Sequence, residues 1–297
     1  MKVRKISDNM MSDFLNGKLK PLLEAVKMDD TLDLELRGDF VNIYYRGGSL
    51  FKITEMDGDY IIYFNTKYCL TDTTTLEEYP NIEKAVANIP FYKQAMDWWF
   101  KKHPKYEREF QQVIARENNC SGNISRGTDY YIADIEYANK VDDSDKAARF
   151  DMVALKWISN RAIRKDLTKV SLALVEVKYG SGALQGKAGV NDHLKDFQSF
   201  LNDTESLKKF CEDMSMVFAQ KCKLGLVDGL QEKQFDVSIS FENPEVIFVF
   251  ANHDPDSKIL DNVLNCGELK NCNFPVFIAN SSSMGYCLYI DRLERIN

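Results

Sequence analysis

The chain has 297 residues, 44% of them hydrophobic and 12% aromatic, and its 38 basic side chains face 45 acidic ones for a formal charge of −7. This is enough apolar material for one large domain or two modest ones, and it excludes disordered, collagen-like and histone-like chains. The acidic balance also argues against indiscriminate coating of nucleic acid, which needs many phosphate-neutralising cations, but it leaves room for a locally basic cleft.

In chain order, Phe14, Leu15, Leu19, Leu22, Leu23 and Val26 recur at helical spacing and predict an amphipathic helix in the first thirty residues. Alternating apolar residues over 31–68, with turns at Arg46-Gly47-Gly48 and Asp57-Gly58-Asp59, predict a small antiparallel β-meander. A polar connection over 72–90 leads to a long helical stretch from Phe91 to about Glu117, broken near His103-Pro104 because proline cannot continue a helix. Three strands follow at 130–138, 149–157 and 169–179. A glycine-rich loop, Gly180 to Gly189, then precedes helices at 190–201 and 204–224. Further strands are expected near 235–241, 245–251, 274–279 and 284–291. The order helix, three strands, helix, strand predicts an α/β fold with a mixed central sheet. The expected division is an N-terminal helix-plus-meander subdomain, 1–78, and an α/β domain, 79–297, with its core at about 105–251.

The N-terminus has no apolar signal-peptide core, and no window approaches eighteen consecutive apolar residues, so a cytoplasmic chain without a membrane partner is expected. Seven cysteines, odd in number and scattered, read as reduced packing residues. Three histidines and no GxSxG motif give little support for ester or peptide hydrolysis.

The segment Leu172-Ala-Leu-Val-Glu-Val-Lys-Tyr179 carries the chemistry. Side chains two apart on a strand share a face, so Glu176 and Lys178 point the same way. A carboxylate and an ammonium on an otherwise apolar interior strand are costly unless paired or used. Glu268-Leu269-Lys270 has the same spelling but no strand pattern around it. Pairing of the second and third strands brings Asp151 beside Glu176. Two hard oxygen ligands next to a lysine suit Mg²⁺ and the phosphate oxygens it takes up. Asp134-Ile-Glu136 offers another pair of carboxylates, directed either to this cleft or to solvent. Between the second and third strands, Lys156, Arg161, Arg164, Lys165 and Lys169 against Asp166 give a net of +4, a candidate phosphate-contacting loop.

Asp151 followed by Glu176-Val177-Lys178 resembles the PD-(D/E)xK nuclease superfamily, whose signature proline is replaced here by Phe150. The resemblance covers roughly 105–251 and implies a restriction-endonuclease-like αβββαβ core. It further implies metal-dependent hydrolysis of nucleic acid, most of all DNA, with Lys178 assisting the nucleophile. A carboxylate on the preceding helix often joins such a site; Glu109 is the position expected to fit, with Glu107 as competitor. The expected metal set is Asp151, Glu176, Glu136 and Val177, for Mg²⁺ with Mn²⁺ as substitute. Since several such enzymes carry a polar helix residue at the site, His193, Lys195 and Gln198 join the candidates for phosphate or water contact. A homodimer or a protein partner is compatible with this reading. The competing readings are a catalytically silent binding or assembly module and a nucleotide-binding protein. The latter would use the Gly180–Gly189 loop, where Gly182 to Lys187 resembles a phosphate loop one residue short.

Overall fold

A computed structural model of the chain describes residues 3–69, 76–120, 127–140, 147–186, 189–254, 256–280 and 285–297. Lys187 and Ala188 of the glycine loop therefore lie outside the described residues, as do parts of the expected 72–90 connection and 284–291 strand.

The N-terminal helical pattern forms two helices, α1 (Asp8–Asn16) and α2 (Lys20–Met28). Ser7 caps α1 through Met10 N–H, and the chain breaks at Gly17, whose N–H closes on the Asp13 carbonyl. The meander forms as expected: β1 (Leu32–Leu36), β2 (Phe40–Tyr45), β3 (Gly48–Met56) and β4 (Asp59–Tyr63) make an antiparallel sheet in sequence order. A short helix, α3 (Ile82–Ala87), stands where only a polar connection was expected; Asn81 caps it. The long helical stretch divides as Pro104 requires, into α4 (Ile89–Lys102) and α5 (Tyr106–Asn119).

The second sheet contains β5 (Tyr130–Lys140), β6 (Ala147–Lys156), β7 (Val170–Tyr179), β8 (Ile239–Ala251), β9 (Val276–Asn280) and β10 (Glu294–Arg295). Its spatial order is β10-β9-β8-β7-β6-β5. β5, β6 and β7 run antiparallel, whereas β7, β8 and β9 are parallel, so the sheet is mixed and the fold is α/β. Helices α6 (Val190–Leu201) and α7 (Thr204–Lys223) make the crossover from β7 to β8, and α8 (Lys258–Leu264) and α9 (Gly267–Lys270) lie between β8 and β9. Two strands expected at 235–241 and 245–251 are one: Asn243, at φ +54°, and Pro244 fall in a bulge that interrupts pairing with β7 without ending the strand. At 284–291 the described residues form no long strand; a turn at Ile290–Arg292 leads into β10.

Helix α5 covers one face of the mixed sheet, with Ile114 and Ala115 against Ile132, Met152, Ala173, Val175 and Val177. The other face carries Leu172, Leu174 and Phe248 under α6 and α7, where Phe197, Phe210 and Met214 pack. That second core continues without a break into α1, α2 and the meander.

Buried charges also join the meander to the large sheet. Arg37 on the β1–β2 turn and Arg4 before α1 both pair with Asp134 of β5, which is fully buried, Arg4 at 3.1 Å. Lys221 of α7, 1% exposed, meets Glu35 of β1 at 2.7 Å. Asp213 receives the Arg4 backbone N–H at 2.9 Å. Asp134 thus belongs neither to a catalytic cleft nor to an exposed sheet face. Among the described residues no helix is long and apolar enough to cross a membrane, and all seven cysteines are free thiols.

Candidate functional site

The antiparallel ladder between β6 and β7 is regular from Lys156↔Ser171 to Met152↔Val175 and then stops. Asp151 is the next residue on β6, and its carboxylate takes over from the missing backbone acceptor: the Val177 N–H donates to Asp151 Oδ2 at 2.8 Å. Past this fork strand β7 leaves β6 but stays paired with β8, and it carries Glu176, 1% exposed, and Lys178, 3% exposed. Both lie on the Leu172–Leu174 face, as their spacing predicts.

Lys178 Nζ stands 2.7 Å from Glu176 Oε1, and His193 Nε2 of α6 reaches the same oxygen at 3.0 Å. Burial and the neighbouring charge of Glu176 hold the Asp151 carboxyl well above the usual carboxylate range, although the Val177 N–H favours its ionised form. Burial likewise pushes Glu176 up to about 7, against the pull of Lys178 and with added repulsion from Glu107. Three carboxylates therefore bear on a space that Lys178 only partly neutralises. Hard oxygen donors with excess negative charge fit a divalent cation such as Mg²⁺. Asp151, Glu176 and the Val177 carbonyl form the set that would hold it. Among the described residues no group of three or more His, Cys, Asp and Glu side chains is gathered as a ready-made metal cluster.

Glu107, rather than Glu109, is the α5 carboxylate whose charge bears on Asp151 and Glu176. Two residues along a helix turn the side chain through about 200°, so the two face opposite ways. Glu107 is three and seven residues from Phe110 and Ile114, which pack on the sheet, and its charge raises both Asp151 and Glu176. Glu109 instead pairs with Arg46 at 2.8 Å, beside the Arg46–Asp97 pair at 2.7 Å. The apolar spacing of α5 already carried this signal.

Glu136 does not join the metal set. Its backbone lies at φ +51°, which breaks the alternation of β5, and its carboxylate meets Arg108 of α5 at 2.9 Å. The 157–169 loop is also misplaced as a phosphate contact for this site. It joins the opposite ends of β6 and β7, and Glu176 lies six residues beyond Val170, about 20 Å away at strand rise. Within it Arg164 is buried, donating to the Trp157 carbonyl at 3.0 Å and lying over the Tyr131 ring at 4.7 Å. Lys156 is bound to the buried Glu245. Arg161 and Lys165 are exposed but share that distant end.

Of the three α6 candidates only His193 reaches the carboxylates. Lys195 and Gln198 are exposed and lie about 200° and 140° around the helix from it. The glycine loop forms a short turn, Ser181–Leu184, before α6 begins at Val190, so no helix follows the first glycines directly. Family models, curated proteins and solved structures were each compared with the chain, and none matches.

Proposed function

We propose that this chain is a metal-dependent nuclease of the PD-(D/E)xK type, with a restriction-endonuclease-like core formed by α5 through β8, and that it hydrolyses phosphodiester bonds in nucleic acid, DNA foremost. The observation that carries the reading is the fork between β6 and β7, where Asp151, Glu176 and Lys178 come together with Glu107 at the same charge centre. Strand order alone is shared by unrelated functions, so it is this site and not the fold that supports the assignment.

Mg²⁺ held by Asp151, Glu176 and the Val177 carbonyl would neutralise charge developing on the phosphoryl oxygens. Lys178 Nζ, fixed by Glu176, presents its remaining N–H donors toward the attacking water and stabilises negative charge in the transition state. His193 holds Glu176 from the α6 side and limits its rotation. The Val177 N–H fixes Asp151 in the same way. Water adds to phosphorus, one P–O ester bond breaks, and the products are a phosphate monoester and an alcohol.

The test is incubation of the purified chain with plasmid, linear duplex, single-stranded DNA and RNA in Mg²⁺ or Mn²⁺, beside Asp151→Ala and Lys178→Ala. Metal-dependent cleavage lost by at least a hundredfold in both variants is expected. Cleavage that both variants retain would remove the site assignment, and absence of cleavage on every substrate would favour a silent binding module.

A further inference from the structure

The segment Trp98-Trp-Phe-Lys-Lys-His-Pro-Lys-Tyr-Glu-Arg108 sets four cations and four aromatic residues around the turn from α4 to α5. It ends at the site: Glu107 is the helical carboxylate, and the ring of Tyr106 stacks on Tyr179, the residue after Lys178, at 4.9 Å and 21°. Tyr106 remains 48% exposed and Trp98 50%. A second stack, Trp99 on His103 at 4.4 Å and 23°, lies on the same connection, and His103 is exposed. A groove of about 450 Å³ is lined by Trp98, Lys101, Lys105 and Tyr106, and also by Asp97 and Glu109, which are both paired with Arg46. Lys105 Nζ lies 6.0 Å from the centres of both the Trp99 and Phe100 rings, and burial, more than the nearby charges of Arg108 and Lys67, lowers its ammonium below the ordinary value.

Resting on the nuclease reading, we infer that the α4–α5 connection is the substrate-binding surface and that it takes single-stranded nucleic acid, or an unpaired stretch within a duplex, with a base on Tyr106 and the adjoining phosphates on Lys101, Lys102 and Lys105. Crowded cations on a chain of net charge −7 fit a polyanion. Open aromatic faces select for unpaired bases, because in a duplex both faces of a base are already stacked. The position decides between this surface and the 157–169 loop, since Tyr106 contacts the end of β7 that bears Lys178 and the loop lies at the other end.

Fluorescence anisotropy in EDTA, with labelled single-stranded DNA, single-stranded RNA and duplex DNA of equal length, tests the inference without turnover. The wild type should bind either single strand more tightly than the duplex, and the comparison of DNA with RNA separates the two sources of unpaired bases. Tyr106→Ala should weaken single-strand binding by about tenfold or more, and Tyr106→Phe should restore it. Combined Lys101→Ser, Lys102→Ser and Lys105→Ser should reduce the slope of log Kd against log salt by about 0.7 per lost phosphate contact. Arg161→Ser with Lys165→Ser should change neither quantity. The inference is overturned if Tyr106→Ala binds as the wild type does, if duplex binds as tightly as single strands, or if only the distal pair matters. Tyr106-dependent binding without cleavage would retain the surface and remove the nuclease reading. Cleavage that depends on Asp151 but ignores Tyr106 would do the reverse.

Discussion

The Asp151 carboxylate accepts the Val177 N–H at 2.8 Å, so a side chain of one strand satisfies the backbone of the next at the point where their ladder has ended. This bond closes the fork and fixes one carboxylate, while it leaves Asp151 and Glu176 repelling each other in a largely buried setting.

That repulsion predicts a trade between stability and activity. Folding raises the Asp151 pKa. The stability it contributes is therefore fully present below the unfolded-state value of about 4 and is lost as pH rises through the folded one. At pH 8 without metal, Asp151→Asn should stabilise the protein by on the order of 1 kcal/mol, because the amide oxygen still accepts from Val177. The gain should shrink toward pH 5, and activity should be lost. Urea midpoints at the two pH values check this; a destabilised Asn variant at pH 8 contradicts it.

Metal affinity should depend on pH for a related reason. Glu176 lies at about 7, so below that pH a proton occupies the position a cation needs. The apparent affinity for Mg²⁺ or Mn²⁺ should fall by roughly tenfold per unit as pH drops below about 7, and level off above pH 8. Calorimetric titration at pH 6, 7 and 8 measures it, and equal affinity across the range would disprove the assignment of Glu176.

His193 reaches Glu176 at 3.0 Å and is a positioning residue. His193→Ala should cost about ten- to a hundredfold in metal affinity or turnover. His193→Gln, which retains a hydrogen-bonding side chain, should recover part of the loss. An equal drop in both variants, with metal binding untouched, would remove this role.

The two acidic residues of α5 should separate cleanly. Glu107→Gln should reduce cleavage by tenfold or more and shift the pH dependence of metal binding toward lower pH, because one repelling charge is gone. Glu109→Gln breaks a partly exposed pair with Arg46 and should cost no more than about 1 kcal/mol of stability, with activity kept. Reversed effects on turnover would restore Glu109 as the site carboxylate.

Asp134 holds two arginines from the N-terminal region in a buried setting. Asp134→Asn removes the carboxylate that Arg4 meets and the nearer of the two that Arg37 meets, leaving Glu35 at 3.7 Å from Arg37, and should cost about 3–5 kcal/mol. Because one core and one charge network span both sheets, denaturant unfolding should follow a single transition in the wild type. Two separated transitions would show that the meander and the large sheet are energetically independent.

Local patterning in the sequence determined most elements of both sheets and the shared face of Glu176 and Lys178, since a two-residue period depends only on the backbone. The choice between Glu107 and Glu109 is also contained in it, because helical periodicity referred to Ile114 is equally local. Residue counting along β6 and β7 likewise separates the basic loop from Glu176, since the two strands run away from that loop side by side. Tertiary structure alone decided which charges were free to work. Arg164, Lys156, Asp134 and Arg37 look like surface charges in the sequence, but Asp134 and Arg37 pair with each other in the interior, Lys156 is held by the buried Glu245, and Arg164 is buried against backbone carbonyls. The left-handed backbone at Glu136 and the end of the ladder at Met152–Val175 depend on packing across strands, where backbone hydrogen bonds compete with side chains. Burial of charge is a non-local property: its cost depends on every element that closes over the group, and no window of sequence contains them all.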